Sequence, residues 1–303
     1  MATSTTPPTR RDPPGVREAA HEAELNAPAD LLYGLVADAM VAPLVFPATV
    51  HVACLDRTGS TEHIRIWAAD DDDNLRCWTS RRRHDPARRT VVFQQDEPWP
   101  PLLLMRGEWR FEPTCPDRTL VTLAHAYATD TDDLAARTGL EGLLDRVSTG
   151  QLAALERFQH CSRFSFQDSA ELACPAADAY AVVRRVTEWP DLVPEIEWVR
   201  AANSRDDAEL FHVTAKGARE TRLVLVAPSG QCSIAFKDLR PVPPVAAHSG
   251  RWLIEPTRTG CRVSVRHDIA VESTSDTSAG AALVRRVAAA TTPSPAGLIA
   301  ACR

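Results

Sequence analysis

Residues 76–85, RCWTSRRRHD, place one tryptophan, one serine and four arginines within ten positions. In an extended chain alternate side chains face opposite ways. Arg76, Trp78, Ser80 and Arg82 then share one face, and Cys77, Thr79, Arg81 and Arg83 share the other. The first face offers an aromatic plate, a hydroxyl and a cation. In a water-poor cavity a fixed guanidinium holds negative charge as it develops on oxygen, and it stays cationic at any physiological pH. On an open strand the same residues would only be solvated, and the residues alone leave both readings open. His51 in VHVACLD and His125 in LVTLAHAYA titrate in the range useful for proton transfer. With Tyr127, His125 shares the parity of Val121 and Leu123, the expected inward face; a histidine on an apolar strand also serves as packed core. Trp67, Trp78 and Trp109 are flat pocket walls if they face a cavity and core if they do not.

The elements that must position these groups occur twice. AELNAPADLLYGLVAD from residue 23 matches AELACPAADAYAVVRR from residue 170 at an offset of 147, including Pro28 with Pro175 and Tyr33 with Tyr180. PWPPLLLMRGEWRFEP from 98 matches PVPPVAAHSGRWLIEP from 241 at an offset of 143, with Gly107 on Gly250 and Trp109 on Trp252; His125 then meets His267. A period near 145 is too long for a solenoid and indicates a duplicated domain. Each copy opens with a strand, at about 19–25 and 164–172. A short helical stretch follows, started by a proline tolerated in a first turn. In the first copy six alternating runs come next, from VHVACLD to LVTLAHAYA, separated by turn-like DRTGS, DDDDN and TCPDR. GLEGLLDRVSTGQLAALERFQHC and AGAALVRRVAA carry helical periodicity. A sheet that curls around such a helix leaves a cavity between them. The aspartate run is expected to be a solvated hairpin loop.

Composition narrows the function classes. The chain has 303 residues, is 44% hydrophobic and carries a net charge of −6, which argues against a phosphate-backbone binder. No apolar run approaches the length of a membrane span. Residues 1–17 read as a Pro/Thr/Arg-rich disordered tail without the apolar segment of a secretory signal. Eight scattered cysteines form no CxxC pair and are expected to be reduced and mostly buried.

The order of elements resembles the helix-grip fold of the Bet v 1/START superfamily. APADLLYGLVAD, VHV, WTSRR followed by DP, and GEWRFEP in the first half, with HSGRW and SVRH in the second, resemble the di-domain aromatase/cyclases of bacterial type II polyketide synthases over residues 18–292. The resemblance implies an α+β chain of two tandem helix-grip domains, 18–160 and 161–303, each a curved antiparallel sheet of about seven strands around a long C-terminal helix. It implies a cytoplasmic cyclase and dehydratase acting on a poly-β-ketone tethered to phosphopantetheinylated acyl carrier protein and reduced at one ketone. Further partners would be other synthase components, with no metal, nucleotide or redox cofactor, no nucleic acid and no membrane. Related single-domain enzymes carry a Trp-x-Ser-x-Arg strand, matched here by Trp78, Ser80 and Arg82. Arg82 would stabilise the enolate and alkoxide of an aldol closure, Ser80 would bind a carbonyl or order a water, and His125 would move protons during loss of water. Trp67, Trp78, Trp109, His51 and Tyr127 would line the chamber. Arg81 and Arg83 would face outward, toward an acidic carrier protein.

The second copy diverges. TRLVLVAPSG replaces WTSRRRHDP, so the position of Arg82 falls near Leu225, and Arg222 would enter the cavity from a neighbouring position. His248, Trp252, His267 and Glu195 are its polar or aromatic candidates. That copy is a second active site, a binding chamber or a scaffold, with the first copy favoured for chemistry. The alternative for the whole chain is a non-catalytic carrier of an apolar small molecule, since the same fold serves both uses.

Overall fold

A computed structural model of the chain describes residues 13, 15–131, 133–216, 220–228, 232–272 and 277–298. Most of the expected tail 1–17, and Cys302, lie outside the described residues. The first strand, β1, spans Arg17–Leu25. The helical stretch after it is broken: α1 is Ala29–Ala37, a 3-10 turn covers Ala39–Val41, and α2 is only Ala42–Val45. Asp38 caps the 3-10 turn by accepting from the Met40 N–H at 3.0 Å. Pro43 starts α2, and Pro47 follows its extended cap Phe46. The six expected strands are β2 Thr49–Thr58, β3 Thr61–Ala69, β4 Leu75–Asp85, β5 Thr90–Gln95, β6 Leu102–Cys115 and β7 Arg118–Thr129. The long helix α3 runs from Leu134 to Phe158.

The second copy repeats the pattern. β8 is Cys161–Leu172, α4 is Ala176–Arg184, β9 is Ile196–Arg205, β10 is Ala208–Ala215 and β11 is Glu220–Val226. β12 is Ser233–Asp238, β13 is Val245–Thr257, β14 is Gly260–Glu272 and α5 is Thr277–Thr291. Each copy forms a seven-stranded sheet, ordered β1-β7-β6-β5-β4-β3-β2 and β8-β14-β13-β12-β11-β10-β9. Six strands form a meander and the opening strand closes on the last. The β2–β3 and β9–β10 hairpins both turn through a left-handed residue, Gly59 at φ 58° and Asp206 at φ 53°. This fixes the offset of 147 at that corner.

By contacts the chain divides into two compact units. One takes in the chain up to Tyr33, Asp56–His63 and Trp78–Leu152; the other takes in Gly34–Leu55, Ile64–Cys77 and the chain from Ala153 onward. In the first unit α3 lies on the inner face of its sheet, where Leu140 and Leu144 pack on Met105 and Tyr127. In the second, Val284 of α5 packs on Val245, Ile269 and Val271. A larger core gathers Trp189, Phe211, Leu223, Leu225, Ile234, Phe236 and Trp252; each such side chain removed from water contributes about 1.5–3 kcal/mol. Among the described residues no helix is long and apolar enough to cross a membrane. None of the seven described cysteines is bridged, and only Cys174 and Cys261 are buried, fewer than expected.

Both sheets use one close approach. The Phe93 ring on β5 lies over Gly107 of β6, where an added Cβ would come within 2.5 Å of it. Phe236 of β12 covers Gly250 of β13 in the same way, also at 2.5 Å. In each copy the glycine sits opposite a histidine, His125 or His267. The glycines therefore leave room for the ring and for a carbonyl of the next strand, Ala124 O or Arg266 O.

Candidate active site

β4 alternates as its sequence predicts. Ser80 and Arg82 are buried while Arg81 and Arg83 are exposed, and Trp78 is half-buried. The partner that holds Arg82 was not visible in the sequence reading. Glu62, fully buried on β3, accepts from Arg82 Nη1 at 2.9 Å. Arg57 Nη2 donates to its other oxygen, and His84 Nε2 lies 3.1 Å from the first. Burial alone would raise the Glu62 carboxyl; the close approach of His84, the hydrogen bond from Arg57 and the charge of Arg82 outweigh it and hold the group down at about 2. The cluster fixes a guanidinium on the inner face of the first sheet. Ser80 Oγ donates to Gln94 O at 3.0 Å, so the hydroxyl hydrogen is already engaged.

His125 is buried on β7, edge-on to Phe93, with Nδ1 3.5 Å from Ser148 Oγ of α3. Burial, then the neighbouring His21, pushes it down to about 4, so it is a neutral imidazole at pH 7. Tyr127 is buried two residues on, its hydroxyl donating to Glu141 of α3 at 3.4 Å. Trp109 is buried and stacks on Phe111 at 6.2 Å. These residues share the inner face of the first sheet with Ser80 and Arg82.

Trp67 and His51 do not join them. On β3, Trp67 has the parity of Arg65 and not of Glu62, so it faces the other side of the sheet. There its Nε1 donates to Asp207 at 2.6 Å, and the ring packs with Ala69, Leu210, Val224 and Ala235 in the second compact unit. His51 lies 5.3 Å from the Trp67 ring and is held at about 4 by burial and then by Arg251. Alternation could not show this, because the buried parity switches along β3, from Glu62 and Ile64 to Trp67 and Ala69. Arg222 also differs from its expected placement. It is buried, pairs with Asp73 and donates to Asp70 O at 2.6 Å, so the aspartate loop is its partner and no cavity is. His212 Nε2 bridges to the same Asp73 at 2.8 Å. The run expected to be merely solvated is thus anchored through Asp70 and Asp73.

In the second copy, His248 Nε2 and His267 Nδ1 are 3.1 Å apart and both are buried. Burial, then the neighbouring His267, lowers His248 to about 3. Burial lowers His267 to about 4 against the pull of Asp168 and Asp268. Trp252 is packed on Phe236 at 4.6 Å and Trp189 at 5.6 Å. Glu195 sits in the turn before β9, and its backbone carbonyl accepts from Lys216 N at 2.7 Å. Phe93 and Phe236 give the register: Arg82 lies opposite Phe93, and Leu225 lies opposite Phe236. Leu225 therefore occupies the position of Arg82. The hairpin offset puts Glu209 at the position of Glu62, opposite Leu225 and bound instead by Arg184 of α4.

Two family models, both described as polyketide cyclase/dehydrase and lipid transport, match residues 25–156 and 163–294. The chain is 36% identical to the granaticin polyketide synthase bifunctional cyclase/dehydratase of Streptomyces violaceoruber, over 86% of this chain and 83% of that protein. It is 34% identical to the actinorhodin polyketide synthase bifunctional cyclase/dehydratase of Streptomyces coelicolor, over 86% and 85%. The fold matches the crystal structure of the di-domain ARO/CYC BexL from the BE-7585A biosynthetic pathway with a TM-score of 0.76 and 30% identity, covering 90% of this chain and 93% of that one.

Proposed function

Because the chain belongs to the polyketide cyclase/dehydrase and lipid transport family in both of its halves, we propose that it is a cyclase/dehydratase enzyme of polyketide synthesis, built from helix-grip domains at 18–160 and 161–303. The finer reading is that it closes the first ring of a ketoreduced poly-β-ketone carried on acyl carrier protein, alongside other type II synthase components in the cytoplasm. The observation that carries a first-copy site is Arg82: a guanidinium only 8% exposed, where the second copy has leucine.

Ring closure is an aldol addition. A methylene between two carbonyls loses a proton, and its enolate attacks a ketone, which becomes an alkoxide. Both species are anionic. Arg82, fixed by Glu62, presents positive charge without reorganisation, and one such donor is worth about 3 kcal/mol. Neutral His125 can accept or pass a proton in the following loss of water. Trp78 and Trp109 supply flat surfaces that keep a flexible chain folded. Ser80, committed to Gln94 O, contributes a lone pair that orders a water or a substrate hydroxyl.

The test is reconstitution of ketosynthase, carrier protein and ketoreductase with and without this protein, with products separated and weighed by mass spectrometry. Added protein is expected to divert the chain to an aromatic first-ring product. An unchanged product pattern would overturn the cyclase reading and favour a carrier of apolar molecules.

A further inference from the structure

A concavity of about 560 Å³ opens in the first unit where β1 and β7 meet α3, and Arg17, His21, Tyr127, Glu141, Leu144 and Asp145 line it. The β1–β7 register places Arg17, Ala19 and His21 opposite Tyr127, His125 and Leu123, all on the inner face. Facing them, Glu141, Asp145 and Ser148 recur at helical spacing along one stripe of α3. Four polar contacts between described residues cross this seam: Arg17 to Glu141 at 2.5 Å, Tyr127 to the same Glu141 at 3.4 Å, His21 to Asp145 at 2.9 Å, and His125 to Ser148 at 3.5 Å.

The His21 contact has the form of a base with its orienting group. Nε2 engages the Asp145 carboxylate, which as an acceptor fixes the Nε2–H tautomer. Nδ1 then carries the lone pair. It is shielded from solvent and has no hydrogen-bond partner among the described residues.

The second copy shows that the fold does not require any of this. Register places Phe164, Phe166 and Asp168 where the first copy has Arg17, Ala19 and His21. Asp168 pairs with Arg285 of α5 at 2.9 Å, an ion pair that cannot exchange protons because arginine stays charged. Phe164 packs so closely on Gly280 of α5 that an added Cβ would come within 2.7 Å of its ring. Phe166 stacks on His267 at 5.1 Å. The same seam is filled with phenylalanine in one copy and left open and titratable in the other.

We propose that His21 is a catalytic acid/base of the first copy, with Asp145 as its positioning residue, and that the seam between β1, β7 and α3 receives a cyclic β-hydroxy ketone for loss of water. This rests on the cyclase/dehydratase reading above and gives that reading a proton-transfer pair. In the step, His21 Nδ1 takes a proton from the carbon α to the ketone. The C–H electron pair becomes the new C=C bond, the C–O bond breaks with its pair, and the departing hydroxide recovers the proton from the imidazolium. Water leaves and nothing is oxidised or reduced.

The full-length protein is assayed with 3-hydroxy-1-tetralone, whose dehydration gives fluorescent 1-naphthol, and in D2O for deuterium uptake α to the ketone. His21→Gln is expected to lower kcat roughly 100-fold or more, with KM within about 3-fold, and to abolish uptake. Asp145→Asn should lower kcat about 10-fold without moving KM; its carboxylate is 69% exposed, so this variant carries the test if His21→Gln misfolds. Asp168→Asn, the matching position in the second copy, should behave as wild type. Turnover by wild type that neither first-copy variant reduces overturns this proposal alone. Absence of both turnover and deuterium uptake in wild type overturns the dehydratase reading beneath it.

Discussion

The two copies keep one scaffold and differ in what they bury. Both have seven strands in the same order, a phenylalanine over a glycine, and a histidine opposite that glycine. On the inner face the first copy buries Glu62, Ser80 and Arg82, whereas the second has Leu223 and Leu225 at the two β4 positions and leaves Glu209 to Arg184. A buried ion pair is weak evidence for stability, and an apolar replacement is often neutral or better. The second copy shows that replacement made within the same chain. Retention of charge in the first is therefore explained by chemistry more readily than by folding. His248, which takes the position of Met105, reverses the trend, yet it pairs with another neutral imidazole, His267, and packs edge-on to Phe236 inside an aromatic cluster.

Swapping residues between copies breaks this comparison, and the largest effect is expected from Leu225→Arg. The new cation would sit in the apolar core opposite Glu209, a carboxylate already engaged by Arg184, at a cost of about 3–5 kcal/mol if that pair holds; chemical denaturation should show it. Next is the exchange in the other direction. Arg82→Leu with Glu62→Gln should leave a folded protein and lower turnover about 100-fold or more. Gly107→Ala and Gly250→Ala should each destabilise by about 1–3 kcal/mol, because the added methyl meets a phenylalanine ring and a strand carbonyl. The companion change Phe93→Ala or Phe236→Ala should not restore stability, since the carbonyl contact remains.

Acid should expose a smaller, shared dependence. His51, His125 and His267 are held at about 4 and His248 at about 3, against 6.5 when unfolded. The unfolded chain binds these protons first, so stability is complete above about pH 6.5 and falls as pH drops toward 4. Glu62, lowered from 4.5 to about 2, adds a second loss only below about pH 4.5. His248→Leu should flatten the first slope in a pH series of melting curves and leave the second in place. Ser80→Ala is the smallest change, about 1 kcal/mol of stability for one backbone acceptor.

Much of this was legible in the sequence, for physical reasons. Strands with one buried face declare themselves by alternation, which is why β4 and β7 are read correctly from Ser80, Arg82, His125 and Tyr127. The duplication is legible because glycine and proline mark backbone demands that both copies share. Glu62 was not legible: its pairing with Arg82 depends on the register between β3 and β4, and nothing local in TEHIRIWAA marks the glutamate. Trp67 and His51 were misplaced because the buried parity switches midway along β3, so parity there no longer identifies the chamber. Arg222 and the aspartate loop are joined only by the fold. His21 could have been found, since the repeat sets it against Asp168 and shows a titratable group exchanged for a fixed charge pair.

The central claim is that chemistry belongs to the first copy. Its most direct test compares two folded variants in the reconstituted synthase, Arg82→Leu with Glu62→Gln, and His248→Leu with His267→Leu, each checked by circular dichroism. The account predicts that the first variant loses the aromatic first-ring product and the second retains it. Retention by the first and loss by the second would contradict it and move the active site to the histidine pair.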